Sequence, residues 1–324
     1  MHLPDGFLST PVAVACATLA VAGVGAAGSR SRALLGSRAV PQMGVTAAFI
    51  FAAQMINFPV AGGTSGHLVG GTLAAVLLGP SAAVVAMTAV LVMQCFVFGD
   101  GGLLALGANV LNMGVLHPIV GFAVYRVLIG RAAPGTPTSR ARSARPPSAA
   151  RRIGSLAFAS WVATVVASAA CAGELALSRV AAPGVVFSAM VAIHIAIGLG
   201  EAVIAALVLA AVLRLRPEVL QRSGPRPSAG SGSIAVLGLA TSLGLALFLS
   251  PFACKWPDGL ERLAQNVGLE PRQAQLTSAP LRDYLIPGVK SSLLATSLAA
   301  AAGTLLVFGL SFALGAWLAA PSRS

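Results

Sequence analysis

Apolar residues in this chain come in unbroken runs rather than in stripes. The runs cover about 11–28, 42–58, 68–78, 82–98, 103–128, 153–175, 185–212, 234–249 and 291–318. None shows the one-sided 3.6-residue period of a surface helix or the alternation of a half-buried strand. A helix that is apolar all round is buried in protein or lipid, and about 20 such residues cross a bilayer. The pattern predicts nine spanning helices, the third short and closed by Gly79-Pro80. Absent alternation argues against a β-barrel. Two tracts rich in Arg, Pro and Ser, 130–152 and 214–233, lack the apolar residues to pack a core and read as cytoplasmic loops. The second divides the chain. The expected fold is an all-α polytopic membrane protein. A seven-helix bundle over residues 1–213 is followed by the linker 214–233 and a two-helix membrane domain over 234–324, whose helices flank a long polar loop.

Composition agrees. The chain is 56% hydrophobic and 9% charged, against roughly 25% charged in soluble domains. The net charge of +12 does not point to nucleic acid, because its distribution follows the membrane. Of the 21 Lys and Arg, 15 fall in segments that helix alternation puts on one side and six on the other. By the positive-inside rule the amino terminus is outside and the carboxyl terminus cytoplasmic, in a multi-pass protein of a bacterial-type inner or plasma membrane. The first run could pass for a signal peptide, but no Lys or Arg precedes it, Asp5 does, and Arg30, Arg32 and Arg38 follow it. It is expected to remain as the first span. Four cysteines, Cys16, Cys95, Cys171 and Cys254, show no pair spacing and suggest packing rather than a thiolate site.

The groups able to carry chemistry are few. The predicted topology puts Met1, His2 and His67 at the outer face. The bulky His2 should protect the initiator Met1, leaving a free amine. That amine and the deprotonated His2 amide would form a five-membered ring on a metal, and the His2 imidazole would close a six-membered one. His67, in Gly-Gly-Thr-Ser-Gly-His-Leu-Val-Gly-Gly (62–71), would supply a fourth nitrogen. Such a set suits Ni(II) or Cu(II), with Co(II) also compatible. Taken singly, a Met-His opening reads as chance and a loop histidine as a hydrogen-bonded loop residue; the two together at one membrane face point to a ligand pair. Asp5, Gln54, Asn57 and Ser65 are candidates to orient this site: Gln54 and Asn57 the His67 ring, Asp5 the amino-terminal segment, and Ser65 the loop or a ligand. His194 and Glu201, seven apart on one helix face, form an intramembrane ionisable pair. They are expected to fix their helix, with a relay as the alternative. His117, beside Pro118, reads as structural. Ala13, Ala17 and Ala20 give the first helix a small-residue face on which another helix could dock.

Four stretches resemble a known family: 1–9 (Met-His-Leu-Pro-Asp-Gly-Phe-Leu-Ser), 51–59 (Phe-Ala-Ala-Gln-Met-Ile-Asn-Phe-Pro), 63–71, and 98–109 (Phe-Gly-Asp-Gly-Gly-Leu-Leu-Ala-Leu-Gly-Ala-Asn). The family is the substrate-binding S component of energy-coupling-factor transporters for cobalt and nickel. The likeness covers residues 1 to about 214. It implies that the terminal amine, His2 and His67 hold the ion, and that a transmembrane coupling subunit and two ATPase subunits drive transport through the lipid bilayer. Lys-Trp-Pro-Asp-Gly-Leu-Glu (255–261) and Ala-Pro-Leu-Arg-Asp-Tyr-Leu-Ile-Pro-Gly (279–288) are similar to the small accessory PDGLE subunit of the same transporters, here fused. Asp258 and Glu261 have capping-box spacing, which accounts for them without metal; a metal-delivery role is the alternative.

The chain lacks Gly-x-x-x-x-Gly-Lys-Ser/Thr, so it cannot hydrolyse ATP by that chemistry. The expected function is metal capture for an importer, with Ni(II) or Co(II) as cargo, no organic cofactor and no enzymatic activity. The alternatives are a polytopic membrane metalloenzyme with the same ligands, and a secondary transporter or channel using His194 and Glu201.

Overall fold

A computed structural model describes residues 2–130, 147–217, 231–268, 276 and 278–320. Most of both Arg/Pro/Ser tracts, and Met1, lie outside the described residues. Helices follow the apolar runs: α1 (Thr10–Leu34), α2 (Val40–Gln54), α3 (Gly71–Leu78), α4 (Pro80–Phe98), α5 (Leu106–Leu128), α6 (Ala149–Leu177), α7 (Pro183–Leu215), α8 (Ala235–Phe252) and α10 (Ser292–Ala319), with a short α9 (Gly259–Val267) between the last two. Seven of these are long and apolar enough to cross a membrane. The exceptions are α2, with 15 residues, α3, with eight, and α9, with nine.

Eight residues rise only about 12 Å, so the expected third span is not a span by itself. Ahead of it the chain is non-helical over 67–70, and residues 68–70 are buried in the bundle before α3 begins at Gly71. Gly70 adopts a left-handed φ of 81° at the junction, a conformation that favours glycine. Pro118 shapes α5: it has no N–H to offer the turn before it, and that turn widens into a π-helical stretch over Val110–Leu116.

A second departure from the all-helical expectation is a small antiparallel hairpin, β1 (Phe58–Val60) with β2 (Thr64–Gly66), in register Phe58↔Gly66 and Val60↔Thr64. The accessory segment 256–258 adds to its edge. Ser65 N–H donates to Pro257 O at 2.8 Å, its hydroxyl donates to Trp256 O at 2.7 Å, and Ser65 bridges to Asp258.

The two membrane domains are packed together through small residues. A Cβ on Gly303 of α10 would run into the rings of Phe51 and Phe98, and one on Gly44 of α2 would lie 3.1 Å from the Phe308 ring. Phe98 in turn stacks on Tyr284 at 4.6 Å. At the end of the bundle away from this cluster, the Arg32 guanidinium lies 3.9 Å over the Trp317 ring. The small face of α1 is already occupied: Ala20 is buried, and a Cβ on Gly107 of α5 would collide with Ala17. The outward face of α1 carries Val14, Leu19 and Val21 instead, so the expected docking surface is internal packing.

Replacing Gly303 by Leu should force α10 away from Phe51 and Phe98 at a cost of about 1–3 kcal/mol. Thermal unfolding of the detergent-solubilised protein is expected to show a lower midpoint, and an unchanged midpoint would contradict the packing.

Candidate metal centre

Hydrogen bonds, rather than regular structure, hold the amino-terminal segment inside the bundle. Leu3 is fully buried. Its N–H donates to Asn109 Oδ1 at 2.8 Å, and its carbonyl accepts from Asn109 Nδ2 at 3.1 Å and from the Gly102 N–H at 2.8 Å. The Asp5 carboxylate accepts from the N–H groups of Leu103 at 3.0 Å, Leu104 at 2.7 Å and Ala105 at 3.4 Å. Glycine is required opposite it, because a Cβ on Gly102 would collide with Asp5. The segment thus pinned presents the His2 ring to a cavity of about 670 Å³, with Nδ1 3.6 Å from Asp100 Oδ1.

His67 arrives from the other side, on the segment between β2 and α3. Its Nδ1 is 3.0 Å from the Leu68 carbonyl oxygen. A carbonyl only accepts, so Nδ1 carries the hydrogen and the ring's lone pair is at Nε2. The His2 and His67 ring centroids are 5.5 Å apart. Imidazoles ligating one ion at about 2.0–2.1 Å place their centroids roughly 4.4 Å apart when cis and 6.2 Å when trans, and the observed separation lies between the two. Burial pushes both rings below the ordinary histidine value, His67 to about 4 with nearby positive charge adding to the shift. Both are neutral, as ligands must be, at neutral pH.

The accessory domain roofs the cavity. Asp258 is the N-cap of α9: its Oδ1 accepts from the Leu260 and Glu261 N–H groups, both at 2.8 Å, and Glu261 Oε2 accepts from the Asp258 N–H at 2.8 Å. Leu260, Leu263 and Ala264 form the buried face of that helix. Burial raises the Asp258 carboxyl, but positive charge around it and the Glu261 N–H outweigh that and hold it well below the usual carboxylate range. Burial, then the charge of Asp258, moves Glu261 the other way. Tyr284 donates its hydroxyl to Asp100 Oδ2 at 2.6 Å. It is carried on a turn in which Asp283 and Tyr284 have φ of 53° and 57°, a conformation costing about 1–3 kcal/mol per non-glycine residue. Burial and the Asp100 charge push the phenol well above its ordinary value, so it remains a donor.

His2, His67, Asp5, Gln54, Asn57, Asp258 and Glu261 all line the cavity, and Ser65 lies in β2, two residues before His67. Their roles differ in part from those expected. Gln54 does not hold the His67 ring; its Nε2 donates to the Val69 carbonyl at 2.8 Å and its Oε1 accepts from Gln94 Nε2 at 2.8 Å. Asn57 offers its backbone carbonyl to the Cys254 N–H at 2.9 Å. His194 and Glu201 share a helix face but do not pair: His194 Nδ1 bonds the Met190 carbonyl of its own helix at 2.7 Å. Glu201 instead lies 3.3 Å from His117 Nε2, on α5. Spacing shows that two residues share a face and is silent on which neighbour that face meets. Spacing assigns no role to Asp100 or Tyr284; the only signals for them are an acid inside Gly-Asp-Gly-Gly and a tyrosine within the accessory motif.

Among the described residues there is no group of three or more His, Cys, Asp and Glu side chains disposed to hold a metal ion.

A family model for the cobalt uptake substrate-specific transmembrane region matches residues 2–219, and a model for the PDGLE domain matches residues 232–320. The putative fused nickel transport protein NikMN of Archaeoglobus fulgidus is 33% identical over 316 residues, 97% of this chain and 98% of that protein. The fused nickel transport protein NikMN of Rhodobacter capsulatus is 32% identical over 356 residues, 95% of each. A crystal structure described as a truncated transition metal transporter is similar with a TM-score of 0.55 and 32% identity, covering 66% of this chain and 99% of that one. The chain belongs to the cobalt uptake substrate-specific transmembrane family, fused to a PDGLE domain.

Proposed function

We propose that this protein is the metal-capture subunit of an energy-coupling-factor importer for nickel or cobalt ions. The observation that carries the proposal is the meeting of His2 and His67, 65 positions apart in sequence, with ring centroids 5.5 Å apart in one cavity. The Met1 amine, the His2 amide nitrogen and imidazole, and His67 Nε2 complete a four-nitrogen set in this reading. Planar nitrogen ligation suits Ni(II), and Co(II) is the other cargo compatible with it. The relatives named as nickel transport proteins over nearly their whole length support metal transport. A full nitrogen set leaves no open position for a catalytic water, which favours carriage over catalysis.

The site end of the bundle faces outward in this account, with arginines of the opposite end in the cytoplasm. The chain carries no phosphate-binding Lys-Ser/Thr loop; in this reading energy comes from a transmembrane coupling subunit and two ATPases, as the family resemblance implies. The accessory domain closes the cavity from outside. Asp258, anionic beside the nitrogen set, supplies countercharge to the bound ion, and the capping box with Glu261 holds it in place.

Two measurements test the ligand set. Purified protein carrying His2→Ala or His67→Ala should lose Ni(II) affinity by more than the about 100-fold that outer-shell changes reach, and so should protein with one residue added before Met1. Wild-type affinity in the extended protein, its amino terminus verified by mass spectrometry, would refute amine ligation.

Calorimetry in buffers of different ionisation enthalpy reads the protons released on binding. With His67 at about 4, neither ring gives up a proton near neutrality. An α-amine, ordinarily near 7.7–8.0, and the His2 amide together should release about two protons per ion at pH 7. Affinity then rises with pH, and only about one proton is released above the amine's pKa. Release near zero at pH 7 would contradict backbone nitrogen ligation.

A further inference from the structure

The network under His67 contains a connection that the proposed ligand set leaves unexplained. Glu201 is fully buried on α7, and its carboxylate accepts two consecutive backbone N–H groups: Val69 at 2.8 Å on Oε2 and Gly70 at 3.0 Å on Oε1. The Val69 N–H and the Leu68 carbonyl belong to the same peptide group. That carbonyl accepts from His67 Nδ1 at 3.0 Å. One planar peptide therefore joins the Glu201 carboxylate, on its nitrogen side, to the His67 ring, on its oxygen side.

We infer that Glu201 is a positioning residue for the metal, acting on His67 through the Leu68–Val69 peptide. This inference rests on the ligand reading above. A carboxylate accepting the N–H of a peptide draws charge toward the carbonyl oxygen, and successive hydrogen bonds polarise one another in a low-dielectric interior. The Leu68 carbonyl becomes a stronger acceptor, the Nδ1–H bond strengthens, and Nε2 becomes a better donor to the ion. Metal-bound histidines commonly gain this support from a carboxylate in direct contact; here the peptide stands between.

The rest of the cluster fixes Glu201. His117 Nε2 lies 3.3 Å from Glu201 Oε1 and 3.3 Å from Thr164 Oγ1, and His117 Nδ1 lies 3.4 Å from Thr72 Oγ1. Gln54 holds the next carbonyl, that of Val69. Helices α2, α3, α5, α6 and α7 thus all bear on the four residues 67–70, and a shift of α7 along its axis would be felt at the ring of His67.

The test compares Glu201→Gln with wild type, His67→Ala and His194→Gln. Glutamine keeps the shape but turns one oxygen into a donor facing an N–H group. Ni(II) affinity, folding by size exclusion and thermal midpoint are measured for each. The protein has four histidines, so selective ¹⁵N-imidazole labelling can follow the His67 ring. The expected result is a folded Glu201→Gln protein with about 10–100-fold weaker binding and a shifted His67 Nδ1–H resonance, while His194→Gln matches wild type. Wild-type affinity and resonance in Glu201→Gln, with binding lost in His67→Ala, would overturn the inference and leave the ligand reading standing. Undiminished binding in His67→Ala would overturn both. If Glu201→Gln does not fold, the labelled wild-type protein decides. A hydrogen kept on Nδ1 with the ion on Nε2 supports the connection, and ligation through Nδ1 overturns it.

Discussion

Backbone without a helix cannot lie inside a lipid-embedded bundle unless its N–H and C=O groups find partners there. Residues 67–70 are such a stretch, and their satisfaction is the constraint on which the site depends. Glu201 takes the Val69 and Gly70 N–H groups, Gln54 takes the Val69 carbonyl, and the His67 ring takes the Leu68 carbonyl. The last of these does two things at once. It pays the polar cost of the buried carbonyl and sets the tautomer that points a lone pair from Nε2. In the proposed site, the same bonds that let the chain leave helical form inside the bundle also ready its histidine for an ion.

The amino-terminal segment solves a parallel problem with different parts. It has no helix to orient it, so Asn109 grips Leu3 from both sides and Asp5 gathers three N–H groups of the loop that ends α4. His2 and His67 therefore come from two irregular segments, each made rigid by side chains of regular helices. The accessory domain enters through the same devices. Its segment 256–258 bonds to Ser65 of β2 beside His67, and its Tyr284 reaches Asp100 beside His2. The accessory domain thus bonds beside each histidine, which ties the roof of the cavity to both halves of the site.

Much of this was legible in the chain. Continuous apolar runs located the helices because lipid imposes one simple rule on composition. The Asp258–Glu261 spacing marked a capping box because that motif is local, closed within four residues. The motifs around His2 and His67 marked the family. Illegible were the features that arise between elements. Gly71–Leu78 reads as a span on hydropathy, but whether a short apolar run crosses alone depends on what precedes it. Glu201 shares a helix face with His194, yet its partners are His117 and two peptides from a loop more than 130 residues earlier. The hairpin at Phe58–Gly66 has too few residues to show alternation.

The central claim is that two buried imidazoles share one ion with the backbone nitrogens of the chain's first two residues. X-ray absorption of the Ni(II)-loaded protein, paired with magnetic susceptibility, reads that coordination directly. The account predicts a diamagnetic, four-coordinate, all-nitrogen centre with imidazole scattering from two rings. A paramagnetic six-coordinate centre dominated by oxygen would contradict it.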